Sequence, residues 1–211
     1  MGIPHSGQKI KQKKTAQVSY ITFGAWNVRT LLDRKKANRP MRRTALIAKE
    51  LARYRIDIAA LSETRLADEG QCQESAGYTF FWIGKGEKEK REAGVGFAIK
   101  TKLLSKLDGP PKGINERLMT VRLPLLKKRF VTIISVYAPT MTNTDDKIEK
   151  FYADLESILQ DVPKSDKLVL LGDFNARVGT DWNTWEGVLG KHSTGKCNSN
   201  GKLLLETCTA H

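Results

Sequence analysis

The chain has 211 residues, 40% of them hydrophobic and 28% charged, a composition that excludes a disordered chain and a disulfide scaffold. Its three cysteines are too few for a disulfide framework. No apolar run approaches the roughly 18 residues that a membrane helix needs, and the amino terminus lacks the apolar stretch of a secretory signal. We therefore expect an intracellular protein with reduced cysteines that does not enter the membrane.

The charge is positive and unevenly placed. The chain carries 36 Lys and Arg against 23 Asp and Glu, a formal net charge of +13, and residues 1–43 hold eleven of the basic residues but only one acidic residue, Asp33. This segment favours a nucleic-acid partner, because phosphates neutralised by Lys and Arg release condensed counterions. An anionic membrane surface or simple solubility is the alternative. A nuclear location is the expectation that goes with a nucleic-acid partner.

The first third of the chain predicts a tail, two strands and a helix. Residues 1–18 are polar, basic and aperiodic and are predicted to be a flexible tail, whereas 19–211 are predicted to form one domain. Strands are predicted at 20–26 and 56–61. Between them, Pro40 marks a helix start, and the helix carries apolar residues at spacings of four and three: Ile47, Leu51 and Tyr54.

The rest of the chain predicts an antiparallel section followed by helices. Strand-like runs with little helix between them, which indicate hairpins, occur at 78–83, 94–99, 117–123 and 129–137. An amphipathic helix at 146–160, a buried strand at 167–174 and a helix at 202–210 follow. Helices separated by mixed sheet predict an α/β sandwich, in which two sheets pack face to face with the helices outside.

Polar residues stand at the ends of the apolar strands. They are Asn27, Glu63, Tyr137, Asp173 and Asn175. Because the carboxyl ends of strands form the mouth of the site in layered α/β proteins, we expect these side chains to converge on one edge. Each alone could instead cap a helix or anchor a turn. Their recurrence at four strand ends favours a shared site.

Several segments carry a resemblance to a known family: WNVRT (26–30), LSETR (61–65), SVYAPT (135–140) and LLGDFNARVG (170–179). In this order they resemble the endonuclease/exonuclease/phosphatase family. Within it they look most like the apurinic-type endonuclease domain of non-LTR retrotransposons and its host-derived relatives, the craniofacial development protein 2 group, which NERLMTVRL (115–123) and NSNGKLLLE (198–206) also fit. The resemblance implies a DNase I-like α/β sandwich that hydrolyses DNA phosphodiester bonds with Mg²⁺.

The resemblance also implies a cation site. Glu63 would bind the metal, and Asn27 beside it would be a further ligand or would orient Glu63 or the phosphate. Mg²⁺ suits such a site because it is bound through one or two carboxylates and keeps several waters. Mn²⁺ is the alternative cation.

The remaining residues receive catalytic roles from the same resemblance. Asp173 would position or deprotonate the attacking water. Asn175 and Tyr137 would donate hydrogen bonds to the phosphate, and Arg117 would brace the site. Together they would stabilise the extra negative charge of the transition state.

The chain departs from the family pattern at its carboxyl end. Family members carry an Asp followed shortly by a Ser-Asp-His triplet, and no such triplet occurs here. His211 lacks a preceding Asp, so the catalytic role is not assigned to it, and the domain is expected to lack its last strands. Loss of an acid-base group costs on the order of 10² to 10⁴ in rate. An impaired endonuclease is therefore expected, with a non-catalytic DNA-binding module and a phosphatase of the same superfamily as alternatives.

Two patterns near the carboxyl end resemble other sites. GKHSTGKC (190–197) approaches the phosphate loop G-x-x-x-x-G-K, but Cys197 stands where that loop has Ser or Thr, so we expect a flexible loop. His192, Cys197, Cys208 and His211 are zinc-ligand types that lack zinc-module spacing. We expect surface or terminal histidines and free cysteines, with Cys208 on the apolar face of its helix.

Two further segments allow a contact with nucleic acid. The charged run 86–94 predicts a solvated hairpin turn, with a DNA contact as the alternative. Trp182 and Trp185 could stack on a base, but a buried lid is the favoured interpretation.

Overall fold

The computed structural model describes residues 20–33 and 42–211. The predicted basic tail at 1–18 lies outside the described residues, as does Pro40, the predicted start of the first helix. The statements that follow concern the described part of the chain.

The first sheet has five strands: β1 (Phe23–Asn27), β2 (Ile58–Ser62), β3 (Glu69–Glu74), β4 (Tyr78–Ile83) and β5 (Val95–Lys100). Their order is β1-β2-β5-β4-β3, with β1 and β2 parallel and the other neighbours antiparallel. The antiparallel pairing of β4 with β5 was expected from the sequence. Strand β3 was not, because its residues EGQCQE are polar and form an edge of the sheet that is largely open to solvent.

The second sheet has four strands: β6 (Lys112–Asn115), β7 (Leu118–Pro124), β8 (Phe130–Tyr137) and β9 (Lys167–Asp173). Their order is β6-β7-β8-β9, and only β8 and β9 are parallel. The prediction of a buried strand at 167–174 was wrong in one respect. Because β9 is an edge strand of the described sheet, its residues are exposed or half-buried rather than buried.

Three α-helices accompany the sheets in the described residues: α1 (Arg43–Arg53), α2 (Asp145–Asp161) and α3 (Ser199–Ala210). Helix α1 buries Leu51 and α2 buries Leu155 on their predicted apolar stripes. The prediction for α1 was wrong at Tyr54, which follows the helix and is 60% exposed. Helix α3 begins at an Asn198 cap, whose side chain accepts hydrogen bonds from the backbone N–H groups of Gly201 and Arg177. No helix in the described ranges has the length and apolarity needed to cross a membrane.

The core lies in layers that follow strand alternation. Ile58 and Ala60 of β2 point between the two sheets, where they join Phe97 and Ile133, whereas Ala59 and its like-facing neighbours pack under α1. Residues of β8 that face away from the first sheet pack against α2. The chain is therefore an α/β sandwich with helices outside, as predicted.

Candidate active site

The candidate site forms where four strands end. Asn27 is the last residue of β1, Glu63 directly follows β2, and Tyr137 and Asp173 are the last residues of β8 and β9. The parallel registers pair Asn27 with Ser62, and Tyr137 with Asp173. Strand β1 contacts β9 across the two sheets. The carboxyl ends of both parallel pairs therefore meet at one edge of the sandwich.

One amide nitrogen joins the two predicted carboxylates. Asn27 Nδ2 donates to Glu63 Oε1 at 2.8 Å and to Asp173 Oδ2 at 2.9 Å. The distance between the two carboxylate oxygens is therefore no greater than the sum of the two hydrogen-bond lengths. Residues from both sheets, distant in the sequence, form one acidic cluster.

The Asn27 amide presents its nitrogen, rather than its oxygen, to the two carboxylates. Its oxygen Oδ1 accepts the backbone N–H of Arg29 at 3.0 Å, while its nitrogen faces the carboxylates. A nitrogen that donates two hydrogen bonds has no lone pair for a metal. In this structure the nitrogen of Asn27 orients Glu63 and Asp173, and a ligand role of its oxygen, which has a second lone pair, stays a prediction.

The backbone at the site adopts the left-handed conformation at three residues that are not glycine. The φ angles are 56° at Glu63, 55° at Arg65 and 47° at Asn175. Such angles are uncommon for residues with a Cβ atom and cluster where function over-determines the backbone. They turn the chain sharply after β2 and β9.

Asp173 is held from two sides. Its Oδ2 accepts from Asn27, and its Oδ1 accepts the backbone N–H of Asn175 at 2.9 Å. The side chain of Asn175 donates to the carbonyl oxygen of Ala138 at 2.8 Å, which ties the turn after β9 to the turn after β8. Asn175, predicted to contact the phosphate, therefore also positions Asp173 and its neighbouring strand.

Tyr137 and Arg117 lie together beside Glu63. Burial, reinforced by the negative charge of Glu63, raises the pKa of the Tyr137 hydroxyl, so this group stays protonated and able to donate. Arg117 Nη1 donates to the Tyr137 carbonyl oxygen at 3.1 Å, and its guanidinium lies 5.3 Å from the Tyr137 ring centroid. Burial lowers the pKa of Arg117, but a guanidinium keeps its charge in proteins. Arg117 therefore contacts Tyr137 through both its backbone carbonyl and its ring, and its predicted role at the site stays a prediction.

Sequence reasoning gave no role to Arg65, which contacts the site directly. Its Nη2 lies 3.2 Å from Glu63 Oε2, so Glu63 is flanked by an amide on one oxygen and a guanidinium on the other. The available signal was its place in LSETR, two residues after Glu63. On either side of Glu63, the hydroxyls of Ser62 and Thr64 are buried and have no hydrogen-bond partner among the described residues.

The residues of the site fit a hard divalent cation. Glu63 is 19% exposed and Asp173 is half-buried, so both carboxylates keep access to solvent. Among the described residues, no group of three or more His, Cys, Asp and Glu side chains is placed to hold a metal. Two carboxylates with open positions suit Mg²⁺, which keeps waters and takes substrate phosphate oxygens, and not a closed structural zinc site.

The other candidate ligands lie elsewhere. His192, Cys197 and Cys208 are exposed, and His211 Nε2 lies 2.8 Å from Glu156 Oε2 on α2. Cys208 lies three residues after the buried Leu205, on the same face of α3, but near the end of the helix, where it is exposed. The segment 190–197 is a loop, as expected, and the start of the helix that follows is capped by the protein's own Asn198.

The charged run 86–94 forms the loop between β4 and β5, with most of its Lys and Glu side chains exposed. Trp182 and Trp185 are half-buried, and Lys191 Nζ lies 4.5 Å from the Trp182 ring centroid. The favoured interpretation of a buried tryptophan lid therefore fits only in part, because both residues are half-buried rather than buried.

Comparisons with known proteins give relatives of the same kind. Craniofacial development protein 2 of Bos taurus is 30% identical over 187 residues, which cover 88% of this chain and 29% of that protein. The protein of the same name from Tragulus javanicus is 28% identical over 187 residues, which cover 88% of this chain and 30% of the relative. The chain thus spans about three tenths of the length of these curated relatives.

Solved structures show a weaker likeness. The human Nocturnin catalytic domain with bound sulfate anion has a TM-score of 0.45 and 18% identity, over 72% of this chain and 63% of that chain. D. rerio TDP2 complexed with single strand DNA product has a TM-score of 0.43 and 13% identity, over 72% of this chain and 59% of that chain. The model of the Endonuclease/Exonuclease/phosphatase family, by contrast, matches residues 24–197, from β1 to the loop before α3. Because this match spans most of the sequence, the chain belongs to the endonuclease/exonuclease/phosphatase family.

Proposed function

We propose that this chain is a retrotransposon-type endonuclease domain that hydrolyses phosphodiester bonds of DNA with Mg²⁺. Enzymes of the family generally depend on divalent metal ions. The observation that carries the proposal is the meeting of Glu63 and Asp173 on the amide nitrogen of Asn27. The positive charge of the chain favours DNA over a small phosphate.

Glu63 and Asp173 would hold the cation. A divalent metal supplies positive charge on the phosphate oxygens and lowers the pKa of a bound water. The chain's own residues would fix the two carboxylates in place. Asn27 donates a hydrogen bond to each of them. Arg65 contacts the second oxygen of Glu63, and the backbone N–H of Asn175 donates to the second oxygen of Asp173. Mn²⁺ would occupy the same site.

Asp173 would position the attacking water and accept its proton. Two donors fix the oxygens of this carboxylate in place beside Glu63, with which it shares the Asn27 amide. The hydroxyl of Tyr137, which its raised pKa keeps protonated, would donate to a phosphate oxygen, as would the second amide hydrogen of Asn175. Arg117 would stabilise the negative charge that grows on the phosphate.

Turnover by these 211 residues is proposed to be slow. They contain no Ser-Asp-His triplet, and His211 is bonded to Glu156 rather than to the acidic cluster. By comparison with other catalytic sites, a missing acid-base group lowers the rate by about 10² to 10⁴. A domain that binds DNA without cleaving it is the second candidate, and the net charge of +13 favours it.

A plasmid assay tests the proposal. Supercoiled plasmid is incubated with the chain in Mg²⁺ and in EDTA, beside Glu63→Ala, Asp173→Ala and Glu149→Ala, which removes an exposed carboxylate from α2. We expect nicking only in Mg²⁺, lost in the first two variants and kept in the third. Salt-sensitive DNA binding without nicking in any lane would support the binding module and refute hydrolysis. Release of phosphate from a small ester would indicate the phosphatase instead.

The cellular setting is part of the proposal. A DNA substrate implies a nuclear location, and the charge of residues 1–43 is consistent with it. Imaging a fluorescent fusion with and without residues 1–18 tests this directly. Nuclear signal that needs the segment is the expected result.

A further inference from the structure

A cavity lies next to the candidate active site. It has a volume of about 540 Å³, and its charged and aromatic lining consists of Arg65, Lys90, Arg91, Glu92, Arg117 and Tyr137. Arg65 contacts Glu63, and Tyr137 is the last residue of β8, so the cavity begins where the acidic cluster ends. Its walls come from the turn after β2, the loop between β4 and β5, and the segments around β7 and β8.

The cavity is cationic. Four of its side chains carry positive charge and one carries negative charge, and that carboxylate, Glu92, pairs with Lys90. Among the described residues, Arg91 pairs only with Glu87, at 4.0 Å, and Glu87 is 81% exposed, so solvent weakens this contact. No carboxylate lies within ion-pair distance of Arg117 in the described part of the chain. The charges of Glu116 and Glu92 act on Arg117 at longer range than an ion pair, and Arg91 has the exposed Glu87 beside it, so the cavity keeps a positive charge that nearby carboxylates offset only in part.

The cavity also offers neutral donors. The hydroxyl oxygens of Thr140 and Thr142 lie 2.8 Å apart, and the Asn143 amide donates to Thr140 Oγ1. Only one proton can lie between the two hydroxyls. Whichever hydroxyl donates, the other has a proton without a partner among the described residues. That proton and the guanidinium N–H groups of Arg91 match the acceptor oxygens of a phosphate.

We infer that this cavity binds a second phosphate of the same nucleic-acid strand, next to the phosphate that is hydrolysed. The inference rests on the proposed function, which assigns the scissile phosphate to the neighbouring carboxylates. A small phosphate ester with one phosphate would leave the cavity empty. The cavity therefore selects a polynucleotide over a small ester, by charge and hydrogen bonding rather than by base sequence.

The test measures binding in EDTA, so that it needs no catalysis. The ligand is a fluorescein-labelled DNA single strand of about 12 nucleotides, and its fluorescence anisotropy is recorded over a range of salt concentrations. Arg91→Ala and the milder Arg91→Gln are compared with Arg129→Ala. Arg129 is an exposed arginine that precedes β8, eight residues before Tyr137, or about 26 Å along the strand. Circular dichroism checks that each variant is folded.

Arg91→Ala is expected to weaken binding about tenfold, the value of a charge-assisted hydrogen bond. It is also expected to lower the slope of log Kd against log salt by about 0.7, the contribution of one phosphate contact in a single strand. Arg91→Gln should lower the slope of log Kd against log salt by the same amount. Arg129→Ala should lose less affinity for the strand than either Arg91 variant. Equal losses at Arg91 and Arg129, or an unchanged slope in a folded Arg91 variant, would overturn the inference.

The same variants separate this inference from the proposed function. If Arg91→Ala shows the expected loss while the plasmid is not nicked in Mg²⁺, the cavity binds a strand and hydrolysis is refuted. If nicking depends on Glu63 and Asp173 but Arg91→Ala binds like Arg129→Ala, hydrolysis stands and the second phosphate subsite is refuted.

Discussion

The amide of Asn27 holds together two carboxylates that come from different sheets. Two anions so close repel each other unless donors or a cation offset their charge, and here the donors are Asn27, Arg65 and the backbone of Asn175. The three left-handed residues at the site show that the chain accepts backbone strain to place these groups. The residues therefore prepare an anionic site for a positive ligand before that ligand binds.

Removing this amide gives the first prediction. Asn27→Ala should lower the free energy of unfolding in EDTA by about 1–3 kcal/mol, because two charged acceptors lose their shared donor. A divalent cation should restore part of the loss, since it offsets the same repulsion. Urea unfolding in EDTA and in Mg²⁺ measures both effects. Equal losses in the two buffers would contradict the proposed cation site.

Buried tyrosines give a prediction for alkaline pH. Burial raises the pKa of Tyr78 to about 12, with a smaller effect from Asp57, and its hydroxyl donates to the Ile56 carbonyl oxygen. Since the folded pKa lies above that of the unfolded chain, the associated stability is present below pH 10 and is lost as pH rises toward 12. Thermal unfolding from pH 8 to 11 should show a falling midpoint above pH 10. The unfolding midpoint of Tyr78→Phe should fall less steeply with pH than that of the unchanged chain. Equally steep falls would contradict the assignment of this pH dependence to Tyr78.

The candidate site is built on the ends of strands, and near the end of β9 the backbone packs very closely against β8. Gly172 precedes Asp173 with φ of 152°, and a Cβ atom there would collide with the carbonyl oxygen of Val136 on β8. Only a residue without a side chain lets β9 approach β8 at this point. The placement of Asp173 therefore depends on its glycine neighbour.

Gly172→Ala should destabilise the protein by more than about 1 kcal/mol and also disturb the site. Gly190→Ala is the matched control, because nothing lies within 4 Å of a Cβ atom built at Gly190. Chemical denaturation of the two variants measures the difference. If both variants unfold at the same denaturant concentration, the close approach of β9 to β8 is not tight enough to matter.

The periodicity of apolar residues predicted the strands and helices that bury an apolar face. It did not predict the strands that bury no such face. Strands β4, β5, β7 and β8, the stripe of α2 and Leu51 on the stripe of α1 were predicted because their apolar residues recur at the right spacing. Strands β3 and β6 were missed because they are polar edge strands. An apolar run such as β9 looks the same whether it is central or at an edge, so its exposure could not be predicted.

The site was partly predictable for a similar reason. Polar residues at strand ends predicted that Asn27, Glu63 and Asp173 would meet, since parallel strands bring their carboxyl ends together. The direction in which the Asn27 amide points, and the contact of Arg65 with Glu63, depend on turn geometry that spacing does not encode. The cationic cavity combines loops from separate parts of the chain, so only the fold could place them together.

The two sheets of the molecule pack against each other through one hydrophobic core, and the candidate site has residues from both sheets. Phe97 is fully buried in that core, among residues of β2, β7 and β8. Phe97→Ala should lower the free energy of unfolding by about 3–5 kcal/mol, whereas Leu126→Ala, at a side chain that is 64% exposed, should change it little. Denaturation monitored by circular dichroism gives both values. A loss below about 1 kcal/mol for Phe97→Ala would contradict a shared core.

Calorimetric titration of Mn²⁺, an analogue of Mg²⁺, tests most directly whether Glu63 and Asp173 share one divalent cation. The chain is compared with Glu63→Ala, Asp173→Ala and the double variant. One binding site per chain is the expected result, weakened strongly by either substitution and hardly further by both, because the two carboxylates act on one ion. Unchanged affinity in either single variant, or losses that simply add in the double variant, would contradict the shared cation and the hydrolytic function proposed for it.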